Sequence, residues 1–308
     1  MTLQQLEYVM AISKIGNFAK AADLCKVTQP TLSTMVQKLE DELGVKIFDR
    51  SHQPIRPTSI GKLVIEQARM TLEQAGRIKE VVAEARTTMS GTFRIGILPT
   101  IAPYLLPKFF PLMRKRYPNL DLRIIEMKTA DIKHAIPASE IDAGIVALLP
   151  GMDEFRQTSL FYEQFYAYVS EGSKLFEKEV IRTSDLEGNE LWLLDEGHCF
   201  RDQLLRFCQL KSAQMSQTTF RLGTLETFMR IVESGRGLTV IPALAVEQLS
   251  EPRRRLVRPF AIPCPTRHIG LLSNHDCIRQ SVIEAISKEI RESVPHDMLS
   301  FSQINTLL

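Results

Sequence analysis

Residues 28–44 read Thr-Gln-Pro-Thr-Leu-Ser-Thr-Met-Val-Gln-Lys-Leu-Glu-Asp-Glu-Leu-Gly, and this stretch decides the fold of the N-terminal third. Thr28 is a good helix N-cap, Pro30 suits the first turn, and Gly44 is typical of a C-terminal stop. Apolar residues recur at helical spacing on one face: Leu32, Met35, Val36, Leu39 and Leu43. The stretch therefore predicts a helix whose apolar face packs inward.

Two shorter helices are predicted before this one. Residues 3–12 carry an apolar stripe at helical spacing, and Asn17 is a plausible N-cap for a second helix. Residues 25–27 make only a short connection to Thr28. Two short helices with a tight connection are typical of a helix-turn-helix.

The predicted third helix exposes compact polar groups near its N-terminus, the end that contacts base edges in this motif. We assign DNA binding to Gln29, Pro30, Thr31, Ser33, Thr34, Gln37 and Lys38. A solvated helix face is the alternative. Residues 45–50 and 56–58 favour DNA binding, because they predict a β-hairpin wing with Arg50 and Arg56 available for phosphates.

Residues 59–88 predict one long helix with a narrow apolar edge. Its apolar and small residues recur at spacings of three and four, no proline interrupts it, and most other positions are charged or polar. Thirty residues of helix span about 45 Å. A two-stranded dimer seam is favoured over a helix packed on its own domain.

From residue 92 the pattern changes to alternating strands and helices, which predicts an α/β fold with a parallel sheet. Ligands in such folds bind at the carboxyl ends of strands. Thr100 and Thr129 follow the first two predicted strands, so their hydroxyl groups are expected to cap helices and also to face a cleft.

The N-terminal motifs resemble the LysR-type transcriptional regulators. The resemblance lies in residues 18–22, 28–33, 38–44, 48–50, Thr58 and Gly61. It implies a winged helix-turn-helix (1–58), a linker or dimerisation helix (59–90) and a regulatory domain (91–308) of two subdomains like periplasmic binding proteins. Subdomain I would comprise 91–161 and 268–308, and subdomain II 162–267. Expected partners are double-stranded promoter DNA, RNA polymerase and further copies in a homodimer or homotetramer.

Residues 196–208 read Glu-Gly-His-Cys-Phe-Arg-Asp-Gln-Leu-Leu-Arg-Phe-Cys and carry two of the five cysteines. Positive neighbours lower a thiol pKa, so His198 and Arg201 favour a reactive thiolate at Cys199. In a helix, Cys208 would lie about 13 Å away on the opposite face, beyond the roughly 7 Å that a disulfide allows between Cα atoms. A bond between them would require the segment to be remodelled. Buried, inert thiols are the alternative.

The same segment resembles the peroxide-sensing, OxyR-like branch of the family. That resemblance implies that hydrogen peroxide is the signal, that Cys199 is oxidised to a sulfenic acid and that Cys208 resolves it. It further implies a peroxide site that holds the oxidant beside the sulfur: Thr100, Thr129, His198, Gln203 and Arg267. Cys25, Cys264 and Cys277 are expected to be structural.

Composition and charge limit the classes of protein to which the chain can belong. The formal net charge is +2 at pH 7, so DNA binding must rest on a local surface. No signal sequence or long apolar run is present, which predicts a cytoplasmic protein without membrane contact. No cofactor and no metal site are predicted. A thiol peroxidase needs no winged helix, so we expect no enzyme; a LysR-type regulator that binds a small metabolite without redox chemistry is the remaining alternative.

Overall fold

The computed structural model describes residues 1–85, 89–186, 189–194 and 224–308. The chain forms two compact units that divide between residues 86 and 87. Within the described ranges, no helix is both long and apolar enough to cross a membrane.

Unit 1 begins with three helices: α1 (Leu3–Ile15), α2 (Phe18–Leu24) and α3 (Gln29–Leu43). The predicted caps of α2 and α3 are confirmed, because Asn17 accepts from the Lys20 N–H and Thr28 from the Thr31 N–H. Gly44 ends α3 with a positive φ of 68°, which costs glycine little.

The inner face of α3 differs from the prediction at two positions. Leu32, Val36 and Leu39 are buried as expected. The side chain of Leu43 is 41% exposed, so its assignment to the apolar face was wrong. Glu40 is only 1% exposed, and its carboxylate takes a buried place that hydrophobic periodicity could not predict.

The predicted wing is confirmed as an antiparallel pair of short strands, β1 (Phe48–Asp49) and β2 (Arg56–Pro57). Helix α4 (Ser59–Ala85) follows directly. The Thr58 hydroxyl donates to the Lys46 carbonyl at 2.7 Å and accepts from the Gly61 N–H at 2.9 Å. One side chain therefore joins the wing to the first turn of α4.

Helix α4 leaves several large apolar side chains exposed: Ile60, Leu63, Met70, Ile78, Val81 and Val82. It covers residues 59–85 of the predicted 59–88 helix, and residues 86–88 lie outside the described ranges.

The described residues of unit 2 form a nine-stranded sheet. Its strands are β3 (Gly91–Ile97), β4 (Leu120–Glu126), β5 (Ala143–Ala147), β6 (Arg156–Val169), β7 (Leu191–Trp192), β8 (Leu238–Pro242), β9 (Val257–Pro259), β10 (Cys264–Ser273) and β11 (Asn305–Leu307). Its α-helices are α5 (Ala102–Arg116), α6 (Thr129–Ala135), α7 (Leu225–Glu233), α8 (Ala243–Glu247), α9 (Glu251–Arg254) and α10 (Gln280–Ser293). The described residues of unit 2 also include three short 3-10 turns: Lys174–Glu177, Thr183–Leu186 and His296–Leu299.

The expected all-parallel sheet is wrong. Strand β3 runs parallel to β4 and β5, and β7 parallel to β8, as alternating strands and helices predict. However, β10 runs antiparallel to both β5 and β6, and β6 runs antiparallel to β8. Strand direction depends on which distant segments pair, and the local alternation of strands and helices does not set it for β6 and β10.

Strand β6 changes partners along its length. Residues 156–164 pair with β10, and residues 165–169 pair with β8. The chain thus passes from one part of the sheet to the next near residue 164, close to the crossing expected near Phe161 and Arg267. The subdomain boundaries themselves stay predictions.

Gly61 provides a test of how the wing meets α4. A Cβ added there would lie 1.9 Å from the Ile47 carbonyl oxygen, a backbone atom that cannot easily move away. Gly61→Ala should destabilise unit 1 by about 3 kcal/mol through overpacking. Urea unfolding followed by far-ultraviolet circular dichroism measures this loss.

Gly76 in the same helix is the matched control. A Cβ at Gly76 meets nothing within 4 Å. Gly76→Ala should therefore stabilise α4 by about 0.5–1 kcal/mol, because alanine is the better helix former. Identical unfolding curves for the two variants would contradict the described contact.

Candidate functional site

The predicted DNA-reading residues lie on one accessible face at the N-terminal end of α3. Gln29, Pro30, Thr31, Thr34 and Lys38 are exposed, and Ser33 and Gln37 are partly exposed. The Thr28 and Thr31 hydroxyls are 2.8 Å apart, which fixes the first turn. These compact donors and acceptors are of the kind that binds base edges in the major groove.

Glu40, which sequence reasoning missed, holds the wing from a buried position on α3. Its Oε1 accepts from the backbone N–H groups of Ile47 at 2.8 Å and Phe48 at 3.2 Å. Its Oε2 lies 3.3 Å from Lys46 Nζ and 3.4 Å from Arg50 Nη2. A buried carboxylate needs such partners, and here they set the position of β1 relative to α3.

The two arginines assigned to phosphate differ in their surroundings. Arg50 is oriented by Glu40, by Gln37 Oε1 at 3.5 Å and by the Phe18 ring, whose centroid is 4.8 Å from the guanidinium carbon. Arg56 is exposed on β2. Phosphate contact by either residue stays a prediction.

In unit 2 the structure brings two predicted site residues, Thr100 and Arg267, into direct contact. Arg267 Nη1 donates to Thr100 Oγ1 at 3.0 Å, and Nη2 donates to the Thr100 carbonyl at 3.1 Å. Arg267 is 1% exposed and Thr100 is 3% exposed. The hydroxyl of Thr100 is therefore held by a buried cation at the carboxyl end of β3.

Glu163 balances this cation. It stands directly opposite Arg267 in the β6–β10 pairing. Its Oε2 accepts from Arg267 Nε at 2.8 Å and from Nη2 at 2.7 Å, so one carboxylate oxygen accepts two charge-assisted hydrogen bonds. Its Oε1 accepts from the Leu244 N–H at 3.0 Å, at the start of α8. Sequence reasoning did not select Glu163, although a lone carboxylate inside an apolar strand was the available signal.

The Phe165 ring covers the ion pair, with its centroid 5.2 Å from the Arg267 guanidinium carbon. Four elements meet here: the loop after β3, strands β6 and β10, and the first turn of α8. Because both charges are buried, removing either one would leave its partner uncompensated.

The prediction that Thr100 and Thr129 cap helices is wrong. Helix α5 begins after Ile101 and α6 after Lys128, and neither N-cap residue makes a side-chain cap. The Thr129 hydroxyl is instead buried without a hydrogen-bond partner among the described residues. Such a group costs stability and is suited to a ligand or water.

A second polar network ties α5 to α7. The Tyr104 hydroxyl donates to Glu226 Oε1 at 3.3 Å, and Arg253 lies 3.3 Å from Glu226 Oε2 and 2.7 Å from Glu233 Oε1. Burial, followed by the Glu226 carboxylate, raises the pKa of Tyr104 well above its ordinary value. Burial and the hydrogen bond to Glu233 raise the pKa of Tyr168 to about 12. Both phenols thus stay protonated as donors.

The remaining predicted site residues lie outside the described residues: Cys199, Cys208, His198, Arg201 and Gln203. The described cysteines are Cys25, Cys264 and Cys277, and the thiols of Cys25 and Cys264 form no disulfide. Burial, followed by Glu7, raises the pKa of the Cys25 thiol, and burial alone raises the pKa of the Cys264 thiol. A raised pKa lowers the thiolate fraction, so both are poorly reactive, in line with a structural role.

Two family models match the chain. Residues 3–62 match the bacterial regulatory helix-turn-helix protein, lysR family, and residues 86–295 match the LysR substrate binding domain. Together these matches extend over both units.

Curated proteins and solved structures match over similar lengths. The DNA-binding transcriptional dual regulator OxyR of Escherichia coli is 35% identical over 295 residues, covering 94% of this chain and 95% of that protein. A full-length OxyR variant from Pseudomonas aeruginosa aligns with a TM-score of 0.74 at 35% identity, covering 96% and 99% of the two chains. OxyR from Porphyromonas gingivalis is 44% identical with a TM-score of 0.66, covering 71% of this chain and 99% of that one.

The buried ion pair can be tested by removing one charge. Glu163→Gln should destabilise unit 2 by about 3–5 kcal/mol, because the Arg267 guanidinium stays buried without its counter-ion. The single tryptophan, Trp192, lies in β7, so its fluorescence during urea unfolding reports on unit 2 alone.

Glu179→Gln is the matched control, since Glu179 is exposed. This variant should stay within about 0.5 kcal/mol of the parent protein. An equally small effect of Glu163→Gln would show that the ion pair does not stabilise unit 2.

Proposed function

Because this chain belongs to the LysR family of bacterial transcriptional regulators, we propose that it binds promoter DNA and changes transcription in response to hydrogen peroxide. The observation that carries the proposal is similarity along nearly the whole chain to regulators of this kind, in both the DNA-binding and the sensory unit. The role is regulatory, and we propose that the peroxide is consumed as a signal rather than turned over as a substrate.

The DNA-binding step rests on the exposed face of α3. Gln29, Thr31 and Thr34 would contact base edges, and Arg50 and Arg56 on the wing would contact phosphates on either side. Two copies joined through the exposed apolar residues of α4 would present two recognition helices to a two-part site. We further propose association to a homotetramer and contact with RNA polymerase.

The sensing step uses one thiolate and one thiol. The Cys199 sulfur attacks one peroxide oxygen, the O–O bond breaks, and the other oxygen leaves as water after taking up a proton. The product is a sulfenic acid at Cys199. The Cys208 sulfur then displaces its hydroxyl as a second water, and a disulfide forms. Sulfur is oxidised and peroxide is reduced, so no further oxidant is needed.

We assign Thr100 and Arg267 to the organisation of the peroxide site. Arg267 donates to Thr100 Oγ1, so the proton of that hydroxyl must point toward a different acceptor. A peroxide oxygen would serve as that acceptor. In the same proposal Thr129 supplies a second hydroxyl, and His198, Arg201 and Gln203 hold the thiolate and the departing water.

The proposed chemistry is tested by treating the reduced full-length protein with stoichiometric hydrogen peroxide. Peptide mapping by mass spectrometry should find a disulfide between Cys199 and Cys208. Cys199→Ser should abolish the peroxide-dependent change in DNA binding. Cys208→Ser should leave a sulfenic acid that reacts with dimedone and a weaker, shorter response.

Cys277→Ser is the control and should respond as the parent protein does. Free thiols at Cys199 and Cys208 after treatment, together with unchanged DNA binding, would reject peroxide sensing. A regulator that responds to a small metabolite would then be the better reading of the same fold.

The DNA contacts are tested separately, by salt dependence. Arg56→Gln should lower the slope of log K against log salt by about 1 for each DNA-binding unit, because one phosphate contact is lost. Fluorescence anisotropy with promoter DNA at several salt concentrations measures the slope.

Lys14→Gln is the matched control, because Lys14 is exposed on α1 rather than on α3 or the wing. Its slope should equal that of the parent protein. An equal loss in both variants would assign the effect to overall charge rather than to the wing.

A further inference from the structure

Unit 2 contains an open cavity of about 820 Å³ that plays no part in the proposed redox chemistry. It lies between the first residues of β6, one face of α10 and the 3-10 turn His296–Leu299. We name it the α10 cavity. Its size falls within the range that holds small organic ligands.

The floor of the α10 cavity is apolar. Ile283, Val294 and Leu299 line it, and the first two are buried. Such a floor favours a ligand with a hydrocarbon portion, since burying that portion releases water from both surfaces.

The rim carries an excess of positive charge. Arg156, Lys288 and Arg291 line the cavity against two carboxylates, Glu284 and Glu292. Glu292 is already engaged by Lys288 at 3.8 Å. Arg156 and Arg291 are exposed and have no carboxylate partner within the described ranges. Two guanidinium groups above an apolar floor suit an organic anion, and a guanidinium matches a carboxylate in shape and donors.

Ser287 gives an independent indication of a ligand. It lines the same cavity and is only 2% exposed. Its hydroxyl oxygen is buried without a hydrogen-bond partner in the part of the chain that the structure describes. A buried hydroxyl left unpaired costs free energy, which a polar ligand atom or a bound water at this position would recover.

We propose that the α10 cavity binds a small carboxylic acid with an apolar body, its carboxylate held by Arg156 and Arg291 and its hydrocarbon portion on the Ile283–Val294–Leu299 floor. This binding site is separate from the peroxide chemistry and gives the regulator a second chemical input. Strand β6 connects the two regions, because it carries Arg156 at its start and Glu163 of the buried ion pair further along.

The test uses three probes with the same six-carbon chain and different head groups: sodium hexanoate, hexan-1-ol and hexylammonium. Each is titrated into the reduced full-length protein by isothermal calorimetry, without peroxide. Hexanoate should bind at one site per chain, and the alcohol and the ammonium should bind at least about tenfold more weakly, because a charge-assisted hydrogen bond is lost. Absence of hexanoate binding, or equal binding of the alcohol, would overturn the proposal.

Variants locate the binding. Arg156→Gln and Arg291→Gln should each raise the Kd for hexanoate about tenfold. Arg114→Gln, an exposed arginine on α5 outside the cavity, should leave the Kd unchanged. Arg291→Lys keeps the charge but loses the forked donors of the guanidinium, so it should retain only part of the affinity.

Ser287→Ala separates binding from folding. It removes a hydroxyl that has no described partner, so the midpoint of urea unfolding without ligand should not fall. The affinity for hexanoate should fall all the same. Unchanged Kd values in Arg156→Gln, Arg291→Gln and Ser287→Ala together would place hexanoate elsewhere and reject the site, whatever the outcome of the peroxide experiment.

Discussion

The buried ion pair between Arg267 and Glu163 is the constraint on which the sensory unit depends. Two full charges are withdrawn from water, so each must find all its partners within the protein. Arg267 meets this demand through Glu163 and Thr100, and Glu163 through the Leu244 N–H. The same contacts fix the loop after β3 against β6, β10 and α8. A polar site can be rigid in this interior because the ion pair leaves its neighbours few alternative positions.

The mixed sheet explains how that ion pair arises. Antiparallel pairing sets Glu163 directly opposite Arg267, although 103 other residues separate them in sequence. Near the same point β6 leaves β10 and begins to pair with β8. The ion pair thus lies at the point of the sheet where β6 changes its partner strand. An effector that altered the pairing of β6 on either side would have to work against the cost of exposing these charges.

Local sequence patterns predicted much of the fold, but they could not predict which distant segments of the chain pair. Asn17 and Thr28 mark the starts of helices and Gly44 marks an end, because capping depends on only a few neighbouring residues. The antiparallel β10 could not be predicted, since strand direction depends on which distant segments pair. Thr100 and Arg267 were selected through family resemblance, whereas Glu163 and Glu40 were missed. Both are buried carboxylates, and only tertiary contacts reveal the partners that hold them there.

The anchoring of the wing through Glu40 has an evolutionary consequence. Glu40 holds β1 through a buried carboxylate, whereas the residues that would read bases are exposed or partly exposed. Support and recognition are thereby assigned to different side chains of one helix. Substitutions among the exposed residues can accumulate while the Glu40 contacts hold the hairpin, so descendants of this regulator are free to acquire new operators while their architecture stays intact.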